Sequence, residues 1–329
     1  MRITRATFGV MIFGILCATA TAQESKSTDE PNPLLKQAAA STNDEAETTL
    51  QRALHFADLY NWHASRPYFA RAKQLFEAAS DKRNALYAQL GEIRAGADPA
   101  PITELSYRLA QELATNPILQ SDKELRMFCL VVKGDFDGEI DVPAMRRDWA
   151  EVSVLAKALE NAKWQYRAQG QLGFADFYDG DLASAQRNVG AALIAATNAG
   201  DVGAQIFYLS ATANGLLSQQ MNDQAIIYAE RAIAIAEANA DAGYPVLAQH
   251  ARLLAMLQGG RIEGARTELN SLLIRAKAQN DRYQIADIYS TASLISRTQK
   301  DIAGAIAYLD EALRYAEAGY GKSNRRDPE

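Results

Sequence analysis

The acidic stretch GDFDGEID, Gly134 to Asp141, concentrates carboxylates that could hold a metal ion. A calcium-binding loop needs oxygen ligands at fixed positions around a central glycine and a bidentate glutamate at its end. If Gly138 takes the glycine position, Lys133 falls on the first ligand position and Ala144 replaces the glutamate. We therefore expect a solvated acidic turn here, and we predict no metal site in the chain.

A second stretch, AEAGYGKS from Ala316 to Ser323, is one residue away from a phosphate-binding glycine-rich loop. Such a loop works because a strand delivers it and a following helix points its N–H groups at the phosphate. Here Ala316 replaces the first glycine, and a helical pattern precedes the motif. We predict neither nucleotide binding nor any other cofactor.

His55 and His63 are eight residues apart and could act together only on one unbroken helix. The pattern predicts a turn at Asn61, which separates them. The sequence contains no H-E-x-x-H, C-x-x-C or G-x-S-x-G motif. The alternative is a catalytic site built from scattered aspartates and glutamates, which would leave no such motif in the sequence. The expectation is that the protein is not an enzyme.

The amino terminus has the layout of a secretory signal peptide. Arg2 and Arg5 precede an apolar run from Phe8 to Cys17, and Ala20-Thr21-Ala22 forms an A-x-A cleavage site. The run is too short for a membrane span, which needs about 20 apolar residues. Leu16 before Cys17 argues against a lipoprotein. We predict a signal peptide over 1–22 and a bacterial, periplasmic protein without a direct membrane span after cleavage.

Charge and cysteine content exclude further classes of partner and fold. The formal net charge is −6 over 329 residues, and cleavage of the signal peptide makes it −8. A mildly acidic chain is a poor partner for nucleic acid or anionic lipid. Cys129, the cysteine left after cleavage, stands in the apolar run MFCLVV and is expected to be buried and unreactive.

The carboxyl-terminal half repeats with a period of 40 residues. Four blocks, starting at Asn161, Asp201, Asp241 and Asp281, align without a gap. Two columns of mostly small residues run through them: Ala185, Ala225, Ala265 and Ala305, then Ala192, Ala232, Leu272 and Ala312. The period extends backwards more weakly, which gives about seven units with the first three degenerate.

Each unit divides into two helical patterns, because its apolar residues step by three and four. Turns are predicted at Gly180-Asp181, Gly259-Gly260 and Lys300-Asp301 within units. Asp201, Asp241 and Asp281 suit the helix N-cap, where a carboxylate accepts a bond from a backbone N–H. A helix pair of this size cannot bury its apolar face alone, so neighbouring units must stack.

The predicted fold is therefore all-α, a right-handed α-solenoid or superhelix. We divide the chain into a signal peptide (1–22), a flexible leader (23–47), degenerate units (48–160), regular units (161–318) and a flexible tail (319–329).

Leu172-Gly173, Gly180-Asp181, Ala185 and Ala192 stand at the spacings of the tetratricopeptide repeat (TPR). The other blocks keep the alanines but lose most of the first-helix signature, and the period is 40 instead of 34. The chain thus resembles a divergent TPR-like array over roughly 45 to 318. The resemblance implies a binding scaffold for a protein or peptide.

In TPR-like arrays the first helix of each pair lines a concave groove, so the resemblance also suggests where a partner would bind. Apolar anchors with a few polar groups suit an extended peptide or an amphipathic helix. The alternative is that several of these residues belong to the core. The candidate groove residues are Arg167, Phe174, Phe177, Phe207, Asn214, Leu217, Leu247, His250, Leu254, Leu294 and Arg297.

Two functions follow as hypotheses. The first is an exported scaffold that binds a protein or peptide without catalysis. The second is a periplasmic sensory or ligand-binding input module acting with a membrane signalling partner of the diguanylate cyclase or kinase type, because the array is similar to the periplasmic halves of some membrane-bound cyclases. The oligomeric state has no signature in the sequence.

Overall fold

The computed structural model describes residues 34–96, 98, 100–279 and 282–320. Over these residues the chain forms fifteen helices and no strand. The first seven are α1 (Leu34–Asp58), α2 (Trp62–Ala78), α3 (Lys82–Arg94), α4 (Ile102–Thr115), α5 (Pro117–Ser121), α6 (Lys123–Ile140) and α7 (Val142–Ala158). The remaining eight are α8 (Ala162–Tyr178), α9 (Leu182–Asn198), α10 (Val202–Ser218), α11 (Asn222–Glu237), α12 (Val246–Gln258), α13 (Ile262–Gln279), α14 (Arg282–Thr298) and α15 (Ile302–Tyr320).

The predicted turns within units are present between consecutive helices. Gly180, Gly260 and Lys300 each adopt a positive φ immediately after a helix ends. The left-handed conformation ends a helix and reverses the chain over a few residues. The tight reversals bring consecutive helices into antiparallel contact.

The three aspartates predicted as N-caps have different outcomes. Asp201 caps α10, accepting a bond of 3.0 Å from the Ala204 N–H. For Asp241 the prediction is wrong, because α12 begins only at Val246 with Pro245 at its N-cap. The proline breaks the local period, and Asp241 contacts the first helix pair instead. Asp281 lies outside the described residues.

The chain is an all-α solenoid in which consecutive helices pack as pairs and the pairs stack. The two alignment columns of mostly small residues explain the close packing of the helices. Ala225, Ala232 and Ala265 are completely buried, and the other members of both columns are buried as well. A methyl group at these positions lets two helices approach closely, so each pair buries its apolar face against the next.

The solenoid closes on itself at its amino-terminal end. The turn between α1 and α2 packs against α8, α10 and the segment between α11 and α12. The Gly243 N–H donates to the Leu59 carbonyl over 3.1 Å, and the Asn61 amide donates to the Asp241 carbonyl over 3.0 Å. The first pair therefore occupies part of the inner surface formed by later pairs.

A second closure joins the last pair to the early helices. Tyr283 at the start of α14 is buried in a cluster with Ile102 of α4 and Phe136 of α6. The Tyr283 hydroxyl donates to the Gly319 carbonyl over 2.9 Å, which ties α14 to the end of α15 at this contact. In the sequence Tyr283 is 181 residues from Ile102 and 147 from Phe136, and the 40-residue pattern contains no sign of these contacts.

Two further sequence predictions are wrong. Residues 34–47 of the predicted flexible leader belong to helix α1. The acidic stretch is not a solvated turn, because Gly134 to Ile140 continues helix α6 and both Asp135 and Asp137 are 1% exposed. Each of these aspartates faces a cation, Arg94 and Lys133 respectively, which makes burial tolerable.

Other predictions concern residues that lie partly or wholly outside the described part of the chain. The predicted signal peptide lies outside them, as does the predicted tail beyond residue 320. Within the described part of the chain, none of the helices combines the length and apolar character that a membrane crossing requires.

Helix α10 carries two glycines whose replacement by alanine should have opposite effects on stability. A Cβ at Gly203 would overlap the backbone oxygen of Asp58, whereas one at Gly215 would meet no atom within 4 Å. Alanine stabilises a helix over glycine by about 1 kcal/mol, while overpacking costs about 1–3 kcal/mol. Urea unfolding should therefore find Gly215→Ala more stable than wild type and Gly203→Ala less stable. Equal effects would show that the α1–α2 turn does not rest on α10.

Candidate functional site

A cavity of about 490 Å³ lies between helices α8 to α12. It brings together five of the residues predicted for the groove, which are Phe174, Phe177, Phe207, Asn214 and Leu247. Its volume falls in the range of about 300–1,000 Å³ that is usual for ligand sites. This cavity is the candidate binding site.

Aromatic rings form the inner end of the cavity. Phe174 and Phe207 meet edge to face with centroids 5.4 Å apart, and Phe207 stacks on Tyr60 at 5.1 Å. Offset and edge-to-face contacts between rings add to the stabilisation that burial gives. Tyr60 belongs to the turn between α1 and α2, so the amino-terminal closure packs against Phe207 and supports this wall.

The other end of the cavity opens to solvent. Leu182, at the start of α9, is 45% exposed, and Met221, just before α11, is 38% exposed. Both line the cavity. Exposed apolar side chains at the mouth of a concave site provide contact area for an incoming ligand.

The polar groups of the wall are neutral. Gln186, Thr212, Asn214 and Gln224 line the cavity together with apolar side chains, and none of the lining residues is acidic, basic, a histidine or a cysteine. Burial raises the pKa of Tyr178, another lining residue, well above its usual value, so its hydroxyl is neutral at physiological pH. A wall of this kind can donate and accept hydrogen bonds but offers no partner for a charge.

Arg167, a predicted groove residue, lies in the interior instead. It is 3% exposed and forms an ion pair of 2.8 Å with Asp201, while donating 3.1 Å to the Asp58 carbonyl. Burial alone would raise the pKa of Asp201, but Arg167 outweighs that effect and holds the pKa below its usual value. Arg167 therefore fastens the first helix pair to α8 and α10 and is not available to a ligand.

The remaining predicted groove residues do not join the cavity. Leu217 is 3% exposed and His250 is 4% exposed, and Leu254 packs half-buried against the same core as Leu217. Leu294 is 42% exposed, and Arg297 is also exposed, on α14. The helix faces that the repeat alignment treats as equivalent thus divide among core, cavity and open surface.

His250 gives the protein a specific pH dependence. Its ring Nε2 is 2.8 Å from the Thr291 hydroxyl, and burial lowers its pKa to about 4 from 6.5. As pH falls below 6.5, the unfolded chain binds a proton at His250, whereas the folded chain binds it only near pH 4. The contribution of the neutral His250 ring to stability is therefore complete above pH 6.5 and is lost as pH falls towards 4.

Between pH 7 and pH 5, the free energy of unfolding of wild type should fall by roughly 2 kcal/mol more than that of His250→Gln. Urea unfolding of both proteins at the two pH values measures this difference. Parallel pH dependence of the two proteins would contradict a neutral buried ring.

Sequence reasoning missed the contribution of the second helices. Val189 and Gly190 of the second helix α9 line the cavity. The first helix α10 also contributes Gly215, which is not among the predicted groove residues. The glycines themselves are a signal in the sequence. Glycine inside a helical pattern costs about 1 kcal/mol relative to alanine, so its presence indicates a packing or functional requirement at that position. These residues form part of the cavity wall.

The buried polar cluster around α6 is the other concentration of chemistry-bearing side chains. Lys133 lies 2.8 Å from Asp148, and it also pairs with Asp137, to which Ser106 donates. Burial raises the pKa of Asp148. Over the described residues no group of three or more histidine, cysteine, aspartate or glutamate side chains could hold a metal ion. The described contacts of this cluster join α4, α6 and α7.

Comparisons with known proteins give a fold and no family. Neither a protein-family model nor a curated protein matches the chain. The crystal structure of the apo form of RapI is similar, with a TM-score of 0.50, 10% identity, and coverage of 83% of this chain and 98% of RapI. BtubC (BKLC) from P. vanneervenii has a TM-score of 0.46 at 14% identity, covering 74% of this chain and 97% of BtubC. The likeness to RapI shows that the chain has a helical repeat fold.

Proposed function

We propose that the protein is an exported, TPR-like binding module that holds a segment of a protein or peptide in the cavity between α8 and α12, without catalysis. The observation that carries the proposal is the convergence of five predicted groove residues on one cavity of about 490 Å³. Because helices form its walls before a ligand arrives, binding would cost little ordering of the protein.

Helix boundaries support the relation to TPR arrays with a 40-residue period. The second helices of the last four pairs begin at Leu182, Asn222, Ile262 and Ile302. Export to the periplasm rests on the sequence of residues 1–22 and is part of the proposal. The absence of acidic, basic, histidine and cysteine side chains from the cavity wall favours binding over catalysis.

Selection from a library of short peptides tests the proposal. Peptides selected on the purified protein and labelled with a fluorophore should bind in fluorescence anisotropy. Phe177→Ala, which removes a ring from the cavity wall, should weaken their binding at least tenfold, since aromatic anchors commonly contribute more than 1 kcal/mol.

Leu294→Ala is the matched control, because Leu294 was predicted for the same groove but is exposed on α14 away from the cavity. It should leave the affinity unchanged. Failure to select any peptide, or equal loss in both variants, would contradict the proposed function.

The second candidate is a sensory input module that binds a small ligand and acts with a membrane signalling partner of the cyclase or kinase type. The cavity volume supports it, since about 490 Å³ suits a small molecule as well as part of a peptide. The protein encoded by the neighbouring reading frame discriminates between the scaffold and the sensory module. A cyclase or kinase there would favour sensing, and an envelope assembly protein would favour a scaffold.

A further inference from the structure

The lining of the cavity disfavours charged groups on a bound ligand. Its polar wall groups are amides and hydroxyls, and none of its lining side chains could pair with a buried carboxylate or ammonium group. A charge moved out of water without a partner is strongly disfavoured. The part of a ligand inside the cavity is therefore uncharged.

Asn214 provides an acceptor for a donor on the ligand. The side chain is 9% exposed, and its Nδ2 donates 3.0 Å to the Ser210 carbonyl. Its Oδ1 is buried and accepts no hydrogen bond in the structure. A buried acceptor without a donor costs free energy, so a ligand N–H that donates to the Asn214 Oδ1 would remove this cost.

Two glycines keep the backbone of the wall accessible. Gly190 lies inside α9 and Gly215 inside α10, both line the cavity, and a Cβ at either would meet no atom within 4 Å. Packing therefore does not require glycine at these positions, although glycine weakens both helices. The space lets a ligand backbone approach the two helices closely.

On the basis of the proposed function, we infer that the bound segment is an uncharged, apolar peptide stretch that passes Gly190 and Gly215 and donates a backbone N–H to Asn214. The glutamines of the wall favour a peptide over a hydrocarbon chain. Gln186, Gln219 and Gln224 line the cavity. Each amide both donates and accepts, which matches the alternating N–H and C=O groups of an extended peptide.

A matched pair of fluorescent probes tests the charge rule and the site together. N-phenylnaphthylamine is neutral and apolar and carries one N–H, and anilinonaphthalenesulfonate adds a sulfonate to the same skeleton. The neutral probe should saturate at one molecule per protein and bind at least tenfold more tightly than the sulfonate.

Filling variants locate the binding. Gly190→Leu and Gly215→Leu should each weaken the neutral probe at least tenfold, because leucine would occupy the cavity. Gly264→Leu, at an exposed glycine of α13 outside the cavity, is the control and should not change the affinity. Both cavity variants replace glycine by a better helix former, so a circular dichroism melt should show that they fold.

Competition by peptides tests the peptide character. The capped tetrapeptide acetyl-Ala-Leu-Phe-Ala-amide should displace the neutral probe, and acetyl-Ala-Glu-Phe-Ala-amide should be at least tenfold weaker. Equal binding of both probes, equal displacement by both peptides, or an affinity unchanged in the two filling variants would overturn the inference.

The outcomes separate this inference from the proposed function. If library peptides bind Gly215→Leu as tightly as wild type but lose affinity in Phe177→Ala, the inferred path past Gly215 fails while the proposed function, binding in this cavity, stands. If the neutral probe binds in the cavity but no peptide of any composition binds the protein, both the peptide inference and the proposed function fail.

Discussion

Replacing Arg94 with methionine is expected to lower the free energy of unfolding by about 3–5 kcal/mol at pH 8. Arg94, at the end of α3, forms a buried ion pair with Asp135 of α6, and its guanidinium lies 4.1 Å over the ring of Trp62. Methionine retains most of the packing but leaves Asp135 without a cation. Urea unfolding at pH 8 measures the loss.

The effect should be smaller at pH 5. Burial raises the pKa of Asp135 to about 6 even though Arg94 opposes the shift, and without Arg94 the pKa rises further. The cost of a raised aspartate pKa is absent below the unfolded value of 3.8, grows as pH rises from there to the folded value, and is constant above it. At pH 5 the carboxyl is protonated and needs no cation.

Two controls distinguish this reason from general damage. Adding Asp135→Leu to Arg94→Met should recover most of the loss, since replacing a whole buried ion pair by apolar side chains is often neutral. Arg71→Met breaks a pair with Glu45 in which both side chains are 54% exposed, and it should cost less than about 1 kcal/mol. A loss in Arg94→Met that the second substitution does not reduce would contradict the buried-charge explanation.

Arg167→Met should lower the free energy of unfolding by about 3 kcal/mol or more. Arg167 pairs with the buried carboxylate of Asp201, donates to the Asp58 carbonyl and lies 5.3 Å over the Tyr60 ring. Removing it takes a donor from the Asp58 carbonyl and leaves Asp201 without its cation, with only the Tyr166 hydroxyl and the Ala204 N–H as donors. It also removes one of the contacts that fasten the first helix pair to the later ones.

Local opening should accompany the loss. In hydrogen exchange the amides of α1 and α2 should exchange faster relative to those of α14 and α15, because Arg167 contacts the first pair through Asp58 and Tyr60. Arg146→Met is the control, since Arg146 is 39% exposed in its pairs with Asp176 and Asp179. Uniform acceleration along the whole chain in Arg167→Met would contradict a local role in closure.

The secondary structure could be predicted from local patterns. Apolar steps of three and four indicate helices, and the pairs Gly180-Asp181, Gly259-Gly260 and Lys300-Asp301 mark the turns. These signals act within a few residues. Pro245 shows the limit, because it delays the start of α12 and moves Asp241 away from the predicted cap.

The site could be predicted only in part, because its shape depends on contacts between distant residues. Repeat alignment treats Arg167, Phe207 and Leu247 as similar inner positions. The first helix pair covers Arg167 and supports Phe207 from behind, while Leu247 remains at the cavity. The acidic stretch was misassigned for the same reason, since Arg94 and Lys133 neutralise Asp135 and Asp137 only after folding.

The central claim is that the cavity between α8 and α12 is where this protein binds its partner. A crystal structure of the protein with the tightest peptide from the library selection tests it most directly. We predict peptide density inside the cavity, with an N–H donated to Asn214 and the chain passing Gly190 and Gly215. Peptide density on another surface, with the cavity unfilled, would contradict the claim.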